Sequence, residues 1–149
     1  MYTLGFKNTS TQTVEADGPI NLGVVYRRNS YKDNCGRCAF QLNSQVLSLL
    51  QAGMYELIIS FVVSAPAAGD VTIQLFENGE AVTGALATET ITTATTEFHT
   101  MTIPYVFLVD KNCVLGRVST GELQITAVNV GDAPITITNI AGTLKKVVY

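Results

Sequence analysis

The sequence predicts an all-β protein, an antiparallel sandwich or jelly roll. Three observations carry this. Apolar and polar residues alternate with period two through much of the chain, Thr, Val, Ile and Gly dominate it, and turn signals punctuate the alternation at short intervals. No window keeps an apolar i, i+3, i+4, i+7 stripe long enough for a sizeable helix.

Taken in order, Tyr2, Leu4 and Phe6 alternate near the start, inside a segment over residues 1–37 that reads as an extended N-terminal arm. The domain itself is expected over residues 38–149. Residues 39–42 lead into it. Residues 44–52, SQVLSLLQA, are the best helical candidate, but they are few and stop at Gly53, so they read as a strand. Residues 53–79 are the clearest pair of strands. Tyr55, Leu57, Ile59, Phe61 and Val63 share one parity and one face, while the opposite face carries Met54, Glu56, Ile58, Ser60 and Val62 and is half apolar. Pro66 and Gly69 break the run, Val71, Ile73 and Leu75 alternate again, and Glu77-Asn78-Gly79 turns the chain. Residues 81–96, rich in Thr and small side chains, predict an exposed edge strand and loops. Residues 97–109 form a long strand with Met101, Ile103, Tyr105, Phe107 and Val109 inward and Phe98, Pro104, Val106 and Leu108 outward. Leu123, Ile125 and Ala127 are the next inward set, Asn129-Val130-Gly131-Asp132 turns, and Ile135 and Ile137 carry the return strand.

With 149 residues the chain is long enough for one core. Its composition is 47% hydrophobic and only 14% charged, where about a quarter charged is usual. Such a chain hides surface against partners or sits in a membrane. The longest apolar run, residues 57–68, is broken by Ser60, Ser64 and Pro66 and falls short of the roughly 20 residues of a helical span. The start, MYTLGFKNTS, has no basic segment followed by an apolar one, so no Sec-type signal is expected. Lys7, Arg27, Arg28, Lys32 and Arg37 precede Ala39, and no Lys or Arg occurs between Gln41 and Asp110. This polarity reads either as a basic arm docking on an acidic partner or as a solvated loop beside an acidic surface. A net charge of −3, without a basic stripe interleaved with stacking aromatics, argues against nucleic-acid binding.

Gln51-Ala52-Gly53-Met54-Tyr55-Glu56-Leu57 resembles the Gly-x-Tyr strand of C1q/TNF-like jelly rolls, and Val71-Thr72-Ile73-Gln74-Leu75-Phe76-Glu77-Asn78-Gly79 resembles the strand that follows it. The stretch from Ala65 through Leu75, with Thr92-Thr93-Ala94-Thr95-Thr96-Glu97 and Thr102-Ile103-Pro104, is similar to small structural proteins of Firmicutes phages and prophages. The resemblance spans residues 38–148 and implies a compact homotrimer whose inner sheet faces a threefold axis. On that basis Ile58, Val62, Val106 and Leu108 are expected at the trimer contact. No collagen-like Gly-X-Y tract precedes the domain, unlike the spore-surface glycoproteins of the same resemblance.

Candidate chemistry is sparse. Cys35-Gly36-Arg37-Cys38 has C-x-x-C spacing, and a Cys₃His zinc site could be assembled with Cys113 and the single histidine, His99. The alternatives are a disulfide between Cys38 and Cys113, or free thiols. A hydrolase would have to use His99, and neither G-x-S-x-G nor H-E-x-x-H is present. Glu77/Glu80 and Glu89/Glu97 could pair as glycosidase carboxylates, but they fall in loop-like sequence. No metal, cofactor or enzymatic activity is expected.

The expectation is therefore a non-enzymatic phage virion protein, a homotrimeric capsid decoration (cementing) protein on the particle surface. Its partners would be itself and the major capsid protein, with no nucleic acid and no membrane. Arg27, Arg28, Lys32 and Arg37 form the capsid-docking arm. The alternative is a receptor- or carbohydrate-binding head of a tail fibre or adhesin, with Tyr26, Tyr31 and Tyr105 as the available aromatics.

Overall fold

The structure, a computed structural model, describes residues 2–32, 38–109, 113–114, 117–118 and 122–147. They form an antiparallel sandwich. Thirteen strands run in the order β1 (Tyr2–Asn8), β2 (Gln12–Val14), β3 (Val24–Asn29), β4 (Phe40–Asn43), β5 (Val46–Leu49), β6 (Gly53–Ser64), β7 (Gly69–Glu77), β8 (Glu80–Ile91), β9 (His99–Val109), β10 (Cys113–Val114), β11 (Arg117–Val118), β12 (Leu123–Asn129) and β13 (Ile135–Val147). Sheet A has the order β3-β1-β13-β6-β9, with β2 also paired to β13, and sheet B the order β4-β5-β12-β7-β8. β10 and β11 form a separate hairpin. Eleven of the described strands thus build the two layers.

Strict alternation builds the core. Tyr55, Leu57, Ile59, Phe61 and Val63 of β6 are fully buried, as are Ile73, Leu75, Ile125 and Ala127 of sheet B. The Tyr55 hydroxyl, with one proton to donate, lies 2.7 Å from the Gln51 carbonyl and 3.1 Å from the Ala39 carbonyl, which satisfies its polar end inside an apolar layer. Residues 44–52 do contain a strand, β5, turned back on β4 at Ser44, whose φ is 50°. The turn after β7 is the expected Asn78-Gly79 hairpin, both residues with positive φ, and β8 is the edge of sheet B. In β13 a bulge between Ile137 and Asn139 switches the inward parity from Ile135 and Ile137 to Ile140, Gly142 and Leu144.

The N-terminal segment departs from the expected arm. β1 lies inside sheet A between β13 and β3, with Leu4 opposite Leu144 and Phe6 opposite Gly142. Leu4, Phe6, Val14, Ile20 and Leu22 are all buried. Burying a large apolar side chain stabilises by about 1.5–3 kcal/mol, so this segment is held as core and not as a tether. Residues 15–22 are fixed to β12 by hydrogen bonds from Asp17 N to Asn129 O, Ile20 N to Ala127 O and Asn129 N to Gly18 O. β1, β2 and β3 therefore belong to the same sandwich as the later strands, and the expected separation of an arm near residue 37 is not a fold boundary. Among the described residues no helix is long and apolar enough to cross a membrane.

Candidate functional site

The outward face of sheet A is the most unusual surface of the molecule. On β6 and β9 it carries Ile58, Val106 and Leu108, exposed by 51%, 52% and 56%, with Met54 beside them. The register explains the cluster. Met54 pairs with Leu108, Glu56 with Val106 and Ile58 with Pro104, so all share one face of an antiparallel ladder. Scattered exposed apolar residues are ordinary, but a contiguous group on a sheet face marks an interaction surface. Of the four residues expected at a trimer contact, the structure brings Ile58, Val106 and Leu108 together. Val62 lies on the same strand, half-buried and opposite Thr100, about 13 Å further along from Ile58 at strand rise. Met54 extends the face and was legible from the same parity, and Phe98, just before β9, is exposed as well.

Charge on this sheet is asymmetric. Glu56 is the one acid on its strands β1, β3, β6, β9 and β13, and Lys145 sits across from it on β13. Cations gather at the other edge. Arg27 and Arg28 are exposed on β3, Lys32 is exposed beyond it, and the Lys7 ammonium stands 5.4 Å from the Tyr26 ring centroid. The Tyr26 ring covers Gly5, where a side chain would meet ring atoms at 2.8 Å. Arg37 and Cys35 lie outside the described residues.

The other sequence candidates separate. Cys38 is a half-buried free thiol, and the side chain of Cys113, its candidate disulfide partner, lies outside what the structure describes. No group of three or more His, Cys, Asp or Glu side chains converges on a metal position among the described residues. His99 is instead held by carboxylates, with Nε2 2.6 Å from Glu97 and Nδ1 3.5 Å from Glu89. Glu97 also accepts hydrogen bonds from the Thr92 amide (3.1 Å), the Thr92 hydroxyl (2.7 Å) and the Thr93 amide (3.3 Å). These donors, His99 first, hold its carboxyl well below the usual range, at about 2. Both ring nitrogens of His99 face carboxylates, and neither is directed at a nucleophile. The cluster ties β8, β9 and the loop between them, where the edges of the two sheets meet. Tyr105 is partly buried against the core, with its hydroxyl 3.4 Å from the Thr83 carbonyl. A shallow polar groove of about 350 Å³ is lined by Asn8, Gln12, Asn21 and Ser44 among others.

No family model matches the chain, and no curated protein matches it in sequence. Solved structures do. Murine APRIL at pH 5.0 is similar at 10% identity and a TM-score of 0.61, covering 97% of this chain and 98% of that one. The PRD1 vertex protein P5 is similar at 16% identity and a TM-score of 0.58, covering 99% and 97%. The globular domain of zebrafish complement 1qA protein is similar at 10% identity and a TM-score of 0.57, covering 95% of each chain. The fold is the all-β TNF/C1q-like jelly roll. Coverage of nearly the whole chain includes β1 to β3, which agrees with their place in sheet A.

Proposed function

We propose that this jelly roll is a non-enzymatic structural protein of a phage particle, a homotrimeric capsid decoration protein on the virion surface. The observation that carries the reading is the apolar outward face of Ile58, Val106 and Leu108 on sheet A. A sheet face of this kind is stable in water when copies cover it, and the TNF/C1q resemblance favours a threefold arrangement. The likeness to the PRD1 vertex protein P5 supports a place on a virion. In this reading the trimer sits at a threefold or quasi-threefold point of the shell and multiplies three weak contacts into one stable attachment. Arg27, Arg28 and Lys32 dock on the major capsid protein from the β3 edge and the residues just after it, and Arg37, outside the described residues, is the fourth cation of the proposed docking arm. Purified protein is expected to bind expanded capsids that lack it, by co-sedimentation, and to bind less as salt rises. Absence of binding at micromolar protein would sink the decoration role.

A receptor- or carbohydrate-binding head is the second reading. The polar groove at Asn8, Gln12, Asn21 and Ser44, with exposed Tyr26 and Tyr31 on the following segment, favours it. Its amides already bond within the fold, Gln12 and Asn8 both donating to the Asn21 carbonyl, which leaves fewer groups for a sugar. Binding on a glycan array that Tyr26→Ala abolishes would shift the assignment to this role.

A further inference from the structure

We propose that β3 is a docking strand: an acidic, extended segment of a partner protein adds to this edge of sheet A through main-chain hydrogen bonds. The proposal deepens the capsid reading and rests on it for the partner's source, while its chemistry comes from the edge itself. β3 pairs with β1 on one side and with no strand on the other among the described residues. Five of its six residues are exposed, so alternate N–H and C=O groups along its free side face water. β3 and β9 are opposite edges of sheet A, so a trimer contact on β6 and β9 leaves β3 accessible.

Charge selects the occupant. Residues 18–32 contain no acid, Arg27 and Arg28 lie on this edge with Lys32 just beyond it, and Lys7 on the neighbouring β1 stands over the Tyr26 ring. Arg27 lies opposite Gly5 and Arg28 opposite Leu4, so the two guanidinium groups leave from opposite faces of the sheet. A strand added beyond β3 would meet one of them on each face. That arrangement suits two consecutive acidic residues, whose side chains also alternate faces, and each can take a charge-assisted hydrogen bond. Acidic runs repel themselves into extended chain before docking, which suits strand addition. Single-stranded nucleic acid is the competing anionic polymer, with Tyr26 and Tyr31 exposed for stacking. It lacks the amide ladder that the free side of β3 matches, and it works against the net charge of −3.

The test titrates the full-length protein with a fluorescein-labelled peptide of Glu-Glu-Val-Thr repeats at low salt. Saturable binding is expected, with slowed amide exchange across β3. R27E/R28E should weaken it about tenfold or more, the loss of one or two charge-assisted contacts. The same variant should instead bind a Lys-Lys-Val-Thr peptide, which shows that the edge remains folded. A peptide N-methylated at alternate residues keeps the charge and loses the ladder, and should bind far more weakly. Equal binding of the methylated peptide, or no protection of β3, overturns the proposal. Tighter binding of oligo-thymidylate than of the acidic peptide overturns it in favour of nucleic acid. Capsid binding that survives R27E/R28E also overturns it and leaves the decoration role standing. Peptide binding without capsid binding removes the decoration role alone.

Discussion

Glu97 shows how one side chain can close a loop between two sheets. Its carboxylate gathers the Thr92 and Thr93 amides, the Thr92 hydroxyl and His99, and all of these favour the ionised form. The sign follows from linkage. A folded pKa depressed from 4.5 to about 2 adds stability in full above the unfolded value, and that stability is lost as pH falls from about 4.5 towards 2. Glu97→Gln should therefore melt below wild type near neutral pH, and the gap should narrow through that acid window. A gap that stays constant through the window would show that the ionised carboxylate is not what matters. Little of this was legible in the sequence. His99 sits on the predicted inward parity, but its partners come from β8 and a loop whose position only the fold sets. Asn129 is similar. It reads as a turn residue and does end β12, yet its fully buried amide nitrogen donates to the carbonyls of Val14, Glu15 and Ala133. Nothing near residue 129 announces a bond to a strand over 110 positions earlier.

Among the elements, β6 and β7 were the most legible, because strict alternation and an Asn-Gly turn are local signals. β1 was visible as alternation but misplaced, because its partner β13 lies at the other end of the chain and pairing of that kind leaves no local trace. β3 was read as part of an arm because an exposed edge strand has little inward pattern to show. The β1–β13 pair depends on a glycine. Gly142 lies opposite Phe6, and a β-carbon there would collide with the buried Phe6 ring. Gly142→Ala should cost about 2–3 kcal/mol by overpacking, read as a lower denaturation midpoint with an unchanged slope. Pairing it with Phe6→Leu should recover part of the loss, because neighbouring substitutions of this kind are not additive. Strict additivity would show that the ring does not set the cost.

At the scale of the whole molecule, the 14% charged composition and the two-faced strands β6 and β9 both support the proposed reading, in which copies of the chain cover surface. The duality was readable because the outward parity of each strand is itself about half apolar. The stoichiometry was not, since a sheet face does not state its symmetry. Val106→Glu with Leu108→Glu would place charge at the centre of that face. The variant should run as a monomer by light scattering where wild type runs as a trimer, with circular dichroism unchanged. A trimer that survives both changes would move the contact off this face.

β13 lies in the middle of sheet A, between β1 and β6, and is the last of the thirteen strands to leave the ribosome. Until it is made, β2 has no partner, β1 can pair only with β3, and one side of β6 stays open. Completion of the sheet must therefore wait for synthesis of β13, and pairing of such distant segments is slow, on the order of milliseconds to seconds. Order of synthesis thus becomes a form of proofreading. A chain cut short before β13 leaves β2 and one side of β6 without a partner strand, so it has no finished sheet A to offer a partner.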